Sequence, residues 1–218
     1  NHALAKASAN SDGFSWKRTD IFLYSGTHWY SYLIEYFSGS QFSHVTMILR
    51  DPTYINPKLK GLYIIESGYE GIPDAVDGKI HFGVQIVPIE QVRKSSIKNN
   101  TRLYYRKLED VKRDDKFKEE LIKAYQIVRD KPYDLNPIDW IKAKFDIDFG
   151  DVQETNTFWC SALISYLYIQ LGLLDKRLPW SLIAPRRFSA YENRCLTFNN
   201  CILKDEVQVN LEKEEKDE

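Results

Sequence analysis

The chain has 218 residues, of which 43% are hydrophobic and 28% charged, so it is long enough to bury the core of one sizeable domain. Its 30 basic and 31 acidic residues give a formal net charge of -1, which argues against nucleic-acid binding as the main function. There are three cysteines and no CxxC or HExxH motif, so we expect no disulfide framework, no metal site and no cofactor.

The two ends of the chain differ in composition from its middle. Residues 1–18 begin with NHALAKASAN, and we expect them to be a lead-in or the remnant of an expression vector. Residues 19–210 are predicted to form a single domain, and residues 211–218 a charged disordered tail. Free thiols favour a reducing compartment, cytoplasmic or virion-associated, while a lost N-terminal targeting segment and a Cys195–Cys201 pair both stay open.

Strand and helix patterns follow one another through the middle of the chain. Short apolar runs predict strands with the sequences DIFLY (20–24), HVTMIL (44–49), LYIIE (62–66), VQIVPI (84–89) and TRLYYRKL (101–108). Apolar residues at helical spacing predict helices at 28–39, 114–129 and 138–145. A further helix carries Cys160, with Asn156 or Thr157 as its N-cap and Gly172 at its end, and a last strand is predicted within 200–211.

The order of these elements predicts an α+β fold in which a central antiparallel sheet packs against helices. Consecutive strands with few long crossovers favour this architecture over a doubly wound parallel sheet. No stretch reaches the ~20 apolar residues of a membrane span. We therefore expect no transmembrane segment, and peripheral contact with a membrane stays open.

Cys160 is predicted to lie at the start of a strongly apolar helix, directly after Phe158 and Trp159. The unpaired N–H groups and the dipole of a helix N-terminus favour a thiolate, which is the reactive form of cysteine. The alternative is a small buried hydrophobe, a common role of free cysteines. From this segment alone the packing role is the better interpretation, because the helix is apolar nearly all round.

His44 opens one predicted strand and Glu66 ends the next. Each residue also has an ordinary interpretation: His44 as a structural histidine, and Glu66 as a strand end that faces solvent. If the two residues lie directly opposite on antiparallel strands, their Cβ atoms are about 5 Å apart and the side chains can pair. The carboxylate would then fix the imidazole tautomer, and the second ring nitrogen would face the thiol of Cys160.

Several motifs resemble those of circularly permuted papain-like enzymes of the NlpC-type superfamily, above all the YiiX/YaeF-like amidases and their poxvirus relatives. TDIFLYSGTHWYSYLIEYFSGSQFSHVTMIL resembles the family's opening strand, helix and histidine strand, and YIIES the strand with the third polar residue. KPYD, FWCSALISYLY and APRRFS resemble the loop before the cysteine helix, the nucleophile segment and a later P-x-D-F segment. The chain departs from the family's glycine, glycine, glutamate and aspartate at Thr19, Thr46, Ala162 and Arg187.

The resemblance covers roughly residues 20–189 and assigns the three chemical roles. The cysteine follows the histidine here, as in permuted members, whereas it precedes the histidine in unpermuted papain-like enzymes. The resemblance implies a permuted papain-like fold with the nucleophile at a helix N-terminus. It also implies Cys160 as the nucleophile, His44 as the general base and Glu66 as the residue that orients the imidazole.

These residues lead us to expect a thiol hydrolase or acyltransferase that acts on an amide or ester bond of a small-molecule, lipid or peptide substrate. A thioacyl-enzyme would form, with the oxyanion stabilised by the backbone N–H of Cys160. Weaker candidates for oxyanion or substrate binding are Ser25, Gly26, Thr27 and Trp159. The alternatives are an inactive lipid- or peptide-binding module on the same fold and a structural or virion-associated protein.

Overall fold

A computed structural model describes residues 15–26, 41–69, 71–134, 155–192 and 196–211. The helices predicted at 28–39 and 138–145 lie outside these residues, as do Thr27, Cys195 and most of the two terminal segments. Among the described helices, none has the length and apolar character that crossing a membrane requires.

Six strands form one sheet: β1 (Ile21–Ser25), β2 (His44–Arg50), β3 (Leu62–Gly68), β4 (Gly83–Pro88), β5 (Arg102–Arg106) and β8 (Val207–Gln208). Their order in the sheet is β4-β3-β2-β1-β5-β8, and every neighbouring pair is antiparallel. A second sheet pairs β6 (Leu108–Glu109) with β7 (Ile202–Leu203). The predicted α+β fold with a large antiparallel sheet is confirmed, and the single strand predicted within 200–211 is two short strands.

Three described helices accompany the sheets: α1 (Ile89–Lys98), α2 (Asp115–Val128) and α3 (Cys160–Gln170). The sequence predicts α2 and α3 but assigns the start of α1 to a strand. The start of α2 has a clear local cause, because the Asp114 side chain caps the helix by accepting from the Phe117 N–H at 3.0 Å. Two short 3₁₀ helices, Trp180–Leu182 and Pro185–Phe188, follow α3.

The central strands are buried on both faces, because alternate residues point into two separate cores. One core joins the strands to α2 and α3, and it includes Val45, Met47, Leu49, Leu121, Leu163 and Leu167. The other lies between the opposite face of the sheet and α1, and it includes Phe22, Ile48, Ile64, Val92 and Val209. Each fully buried side chain of this size contributes about 1.5–3 kcal/mol to folding.

Helix α3 lies within the first core, and every residue from Cys160 to Tyr168 is buried. The Tyr168 hydroxyl donates a hydrogen bond to the Thr19 carbonyl oxygen at 2.6 Å, which connects the helix to the segment that leads into β1. Gly172, with a φ of 70°, directly follows the C-cap residue Leu171 and ends the helix as predicted. The predicted N-caps are wrong: Trp159 is the N-cap, so Cys160 is the first helical residue.

Candidate active site

His44 and Glu66 lie on the neighbouring strands β2 and β3, and their side chains are in direct contact. His44 Nε2 donates to Glu66 Oε2 at 2.7 Å. The pairing runs from Met47 opposite Ile65 to Arg50 opposite Leu62, and its continuation places Gly68, not Glu66, opposite His44. His44 and Glu66 are therefore a diagonal pair, and the imidazole extends over Gly68 to reach the Glu66 carboxylate.

The absence of a side chain at Gly68 makes room for this arrangement. A Cβ atom added to Gly68 would lie 3.3 Å from His44 Cε1 and 3.8 Å from Glu66 Oε2. On the other side of the ring, Tyr24 packs edge-on against the imidazole with the ring centroids 5.0 Å apart. His44 is thus held between β1 and β3, and 17% of its side-chain surface remains exposed.

Glu66 is fully buried, which overturns the interpretation of a solvent-exposed strand end. Its second oxygen, Oε1, accepts a hydrogen bond from Gln85 Nε2 at 2.8 Å. A buried carboxylate is costly without such partners, and here both oxygens have one. Sequence reasoning missed Gln85, although a lone polar residue inside the apolar run VQIVP was a signal that could have identified it.

Cys160 lies beside the imidazole of His44, which is the first residue of β2. The thiol interacts with the imidazole, and its Sγ is 4.0 Å from the carbonyl oxygen of Ser43, the residue before His44. Burial lowers the pKa of His44, but the hydrogen bond and charge of Cys160, and then those of Glu66, raise it more strongly, so the pKa lies well above its ordinary value. Because Nε2 of His44 contacts Glu66, the other ring nitrogen, Nδ1, is left for the thiol.

The body of α3 packs on the face of the sheet that carries Val45 and Met47, whereas His44 belongs to the alternate set of side chains. The thiol reaches the imidazole because Cys160 is the first residue of the helix. The segment before it is fixed on both sides: the Ser67 hydroxyl donates to the Phe158 carbonyl oxygen at 2.5 Å, and the Phe158 N–H donates to the Pro132 carbonyl oxygen at 3.1 Å.

The predicted oxyanion and substrate-binding residues lie in different surroundings. In the part of the chain that the structure describes, no side chain caps α3, so the N–H groups of its first turn have no capping partner. Ser25 is buried and accepts a hydrogen bond from Arg102 at 2.9 Å, and Gly26 is also buried. Trp159 is 6% exposed and donates from Nε1 to the Ser181 carbonyl oxygen, so it offers little surface to a ligand.

Aromatic side chains flank the site on the side of β3 and β4. Tyr133 stacks on Phe82 with a centroid distance of 5.1 Å, and Phe82 contacts the exposed ring of Tyr69 at 6.1 Å. Burial raises the pKa of Tyr133 well above its ordinary value, and the charges of Cys160, Asp134 and Glu66 raise it further.

The remaining described histidine and cysteine are remote from this arrangement. His81 pairs with Asp77 at 2.9 Å in a partly exposed loop. Cys201 is a buried free thiol near the Leu173 carbonyl oxygen, and burial raises its pKa. Within the described ranges, no group of three or more His, Cys, Asp or Glu residues is arranged to hold a metal ion.

Comparison with known proteins yields one distant structural neighbour to report. No family model matches the chain, and no curated protein matches it. Among solved structures, the chain is similar to the metalloprotein yiiX from Escherichia coli O157:H7, with a TM-score of 0.48 and 15% identity. The match covers 90% of this chain and 98% of the other. A likeness this distant carries no conclusion about activity, substrate or bound metal.

Proposed function

We propose that this protein is a cysteine-dependent hydrolase or acyltransferase that acts on an amide or ester bond. The observation that carries the proposal is the meeting of three side chains. Cys160, the first residue of α3, lies beside His44 and interacts with its imidazole, and His44 hydrogen-bonds at 2.7 Å to the buried carboxylate of Glu66. Nucleophile, base and orienting group in this order form the minimal machinery for acyl transfer through a thiol.

Two features favour a thiolate–imidazolium pair before substrate binds. The pKa of His44 lies well above its ordinary value, because Cys160 and then Glu66 raise it by more than burial lowers it. The partial positive charge at the start of α3 stabilises an anion by about 0.3–1 kcal/mol, and a neighbouring imidazolium adds to this. In this proposal Glu66 stabilises the imidazolium and fixes which ring nitrogen faces the sulfur.

The proposed reaction proceeds in two steps. The Cys160 sulfur forms a bond to the substrate carbonyl carbon, and the imidazolium of His44 gives its proton to the departing amine or alcohol as the carbon–heteroatom bond breaks. The resulting thioester is then attacked by water or a second acceptor, whose proton passes to the now neutral His44. The thiolate leaves, and the carboxylic acid or the transferred acyl product is released.

In both steps the negative charge that develops on the carbonyl oxygen needs hydrogen-bond donors. The N–H of Cys160 and its neighbours in the first turn of α3 are suited to this task, since no described side chain caps them.

We also propose a kinship with circularly permuted papain-like enzymes. The support is the order of the chain, in which the histidine strand precedes the cysteine helix, together with the antiparallel sheet and the helix that begins at the cysteine. The substrate class follows from the reaction type alone: a small molecule, lipid or peptide with a reactive acyl group.

Thiol reactivity provides the first test, and Cys201 serves as an internal comparison because it is also buried. At about pH 6, where an ordinary thiol with a pKa of about 8.5 is unreactive, iodoacetamide should modify Cys160 at least tenfold faster than Cys201. His44→Ala should abolish this difference. Equal and slow modification of both cysteines would contradict the proposal and favour a binding module without turnover.

Covalent trapping provides the second test and identifies the substrate class. The protein is incubated with a pool of lipid esters, N-acyl amides and peptides, and adducts are detected by intact mass. An acyl mass on Cys160 that is absent from Cys160→Ala and strongly reduced in His44→Ala supports the proposed intermediate. Binding of a pool member without any covalent mass, equally in wild type and Cys160→Ala, would contradict it.

A further inference from the structure

Gln85 contacts the carboxylate oxygen of Glu66 that His44 does not contact. Its Nε2 donates to Glu66 Oε1 at 2.8 Å, and the two residues are direct partners in the pairing of β3 with β4. Gln85 is 1% exposed and Glu66 is fully buried, so water does not compete for this hydrogen bond. The contact is held by the backbone pairing of two strands of the sheet and not by a loop.

Among the residues that the structure describes, the side-chain carbonyl oxygen of Gln85 is buried without a hydrogen-bond partner. Reversing the amide would not help, because this oxygen would then face the Glu66 carboxylate and Glu66 would lose its donor. What glutamine supplies at this position is a single N–H donor for Glu66.

We propose that Gln85 is a positioning residue: its amide occupies Oε1 of Glu66 and so presents Oε2 to His44 in one fixed orientation. This inference rests on the proposed function, because it assigns Gln85 an effect on Cys160 that passes through Glu66 and His44. The Gln85 donor fixes the Glu66 carboxylate, a carboxylate fixed in contact with the imidazole raises the pKa of His44, and a charged imidazole beside the sulfur favours its attack on a substrate. Gln85 does not contact the thiol or the substrate.

The test measures His44 directly, so it does not depend on knowing the substrate. In a Cys160→Ala background, NMR titration of the imidazole should show that Gln85→Met lowers the pKa of His44. With Cys160 restored, Gln85→Met should slow iodoacetamide modification of Cys160 at about pH 6 by about tenfold. Gln85→Asn, which keeps an amide but withdraws it from Glu66, should shift both quantities in the same direction.

Val87→Ala is the matched control, since Val87 is buried on the same face of β4 and pairs with Ile64, not with Glu66. It should lower the unfolding free energy and leave the pKa of His44 and the alkylation profile unchanged. A purely structural role of Gln85 predicts that Gln85→Met behaves like Val87→Ala, and that result would overturn the inference.

Glu66→Gln separates the two ways in which the test can fail. If Glu66→Gln lowers the pKa of His44 while both Gln85 variants leave it unchanged, the proposed function stands and the role of Gln85 does not. If wild-type Cys160 reacts no faster than Cys201, and Glu66→Gln alters neither His44 nor Cys160, the proposed function fails and the inference falls with it. Shifts in both variants, without a shift in Val87→Ala, support the inference.

Discussion

Gly68 determines where the imidazole of His44 can lie, because it is the residue directly across the strand pair. Its φ is not in the left-handed region, so alanine is compatible with the backbone there. A Cβ atom would nevertheless press on His44 Cε1 from 3.3 Å, which requires the ring to move by a few tenths of an ångström. The role of this glycine is therefore to leave space and not to provide backbone freedom.

We expect Gly68→Ala to weaken the contact between His44 and Glu66 and to slow iodoacetamide modification of Cys160 at about pH 6 by about three- to tenfold. The unfolding free energy should change little. Gly71→Ala is the matched control, because a Cβ there meets open space but φ is 65°. That variant should lose about 1 kcal/mol of stability and keep wild-type thiol reactivity. The reverse pattern for the two variants would contradict this assignment.

The pKa of His44 is set by opposing effects, which gives a prediction with a definite sign. Burial lowers this pKa, while Cys160 and Glu66 raise it. Cys160→Ala removes the larger of the two raising effects, so the pKa of His44 should fall and the ring should lose its proton at lower pH than in the wild type. NMR titration of the histidine ring signals measures the change, with His44→Gln to assign the signal. A pKa that stays constant in Cys160→Ala would show that the thiol does not interact with the imidazole.

At the scale of elements, the sequence predicted the strands of the site more accurately than the helices. β1, β2 and β3 have continuous apolar runs, and the predicted bounds differ from the observed ones by one or two residues. α1 was missed because Pro88 precedes it in place of a polar capping side chain, and because only Ile89, Val92, Arg93 and Ser96 of its ten residues are buried. The predicted N-caps of α3 were wrong because Trp159 occupies the cap position without a capping hydrogen bond.

The candidate site itself was only partly predictable. Cys160, His44 and Glu66 could be named from the sequence, but their contacts depend on the diagonal placement of His44 and Glu66. No local pattern gives that placement, since it follows from the register of β2 against β3 and from the space at Gly68. Gln85 requires the pairing of β3 with β4 as well.

Ser67 and Tyr168 allow the start of α3 to be tested separately from its body. Each hydroxyl is buried and donates to a backbone carbonyl oxygen, of Phe158 and Thr19 respectively. Ser67→Ala and Tyr168→Phe should each lower the unfolding free energy by about 1–3 kcal/mol, because a buried carbonyl loses its donor. Only Ser67→Ala should also slow Cys160 modification, since Phe158 leads into the helix start. Equal reactivity of the two variants would show that this hydrogen bond does not position the thiol.

At the scale of the whole molecule, Arg106 holds the C-terminal segment against the sheet. This β5 residue is fully buried, and its guanidinium donates to the carbonyl oxygens of Phe188, Leu203 and Lys204. Burial lowers its pKa, and the charge of Glu206, 3.7 Å away, opposes that change. One cation thereby connects residues that are far apart in the chain. In the sheet, β1 separates the strand of Arg106 from the strand of His44.

We expect Arg106→Met to lower the unfolding free energy by about 3–5 kcal/mol, because the three hydrogen bonds from the buried guanidinium to backbone carbonyl oxygens are lost at once. Arg102→Met, at an exposed position of the same strand, should cost less than about 1 kcal/mol. Urea unfolding measures both variants. If Arg106 acts on stability alone, folded Arg106→Met at low temperature should keep the wild-type ratio of Cys160 to Cys201 alkylation. A changed ratio would instead mean that the C-terminal strands help to set the geometry of the thiol and its imidazole.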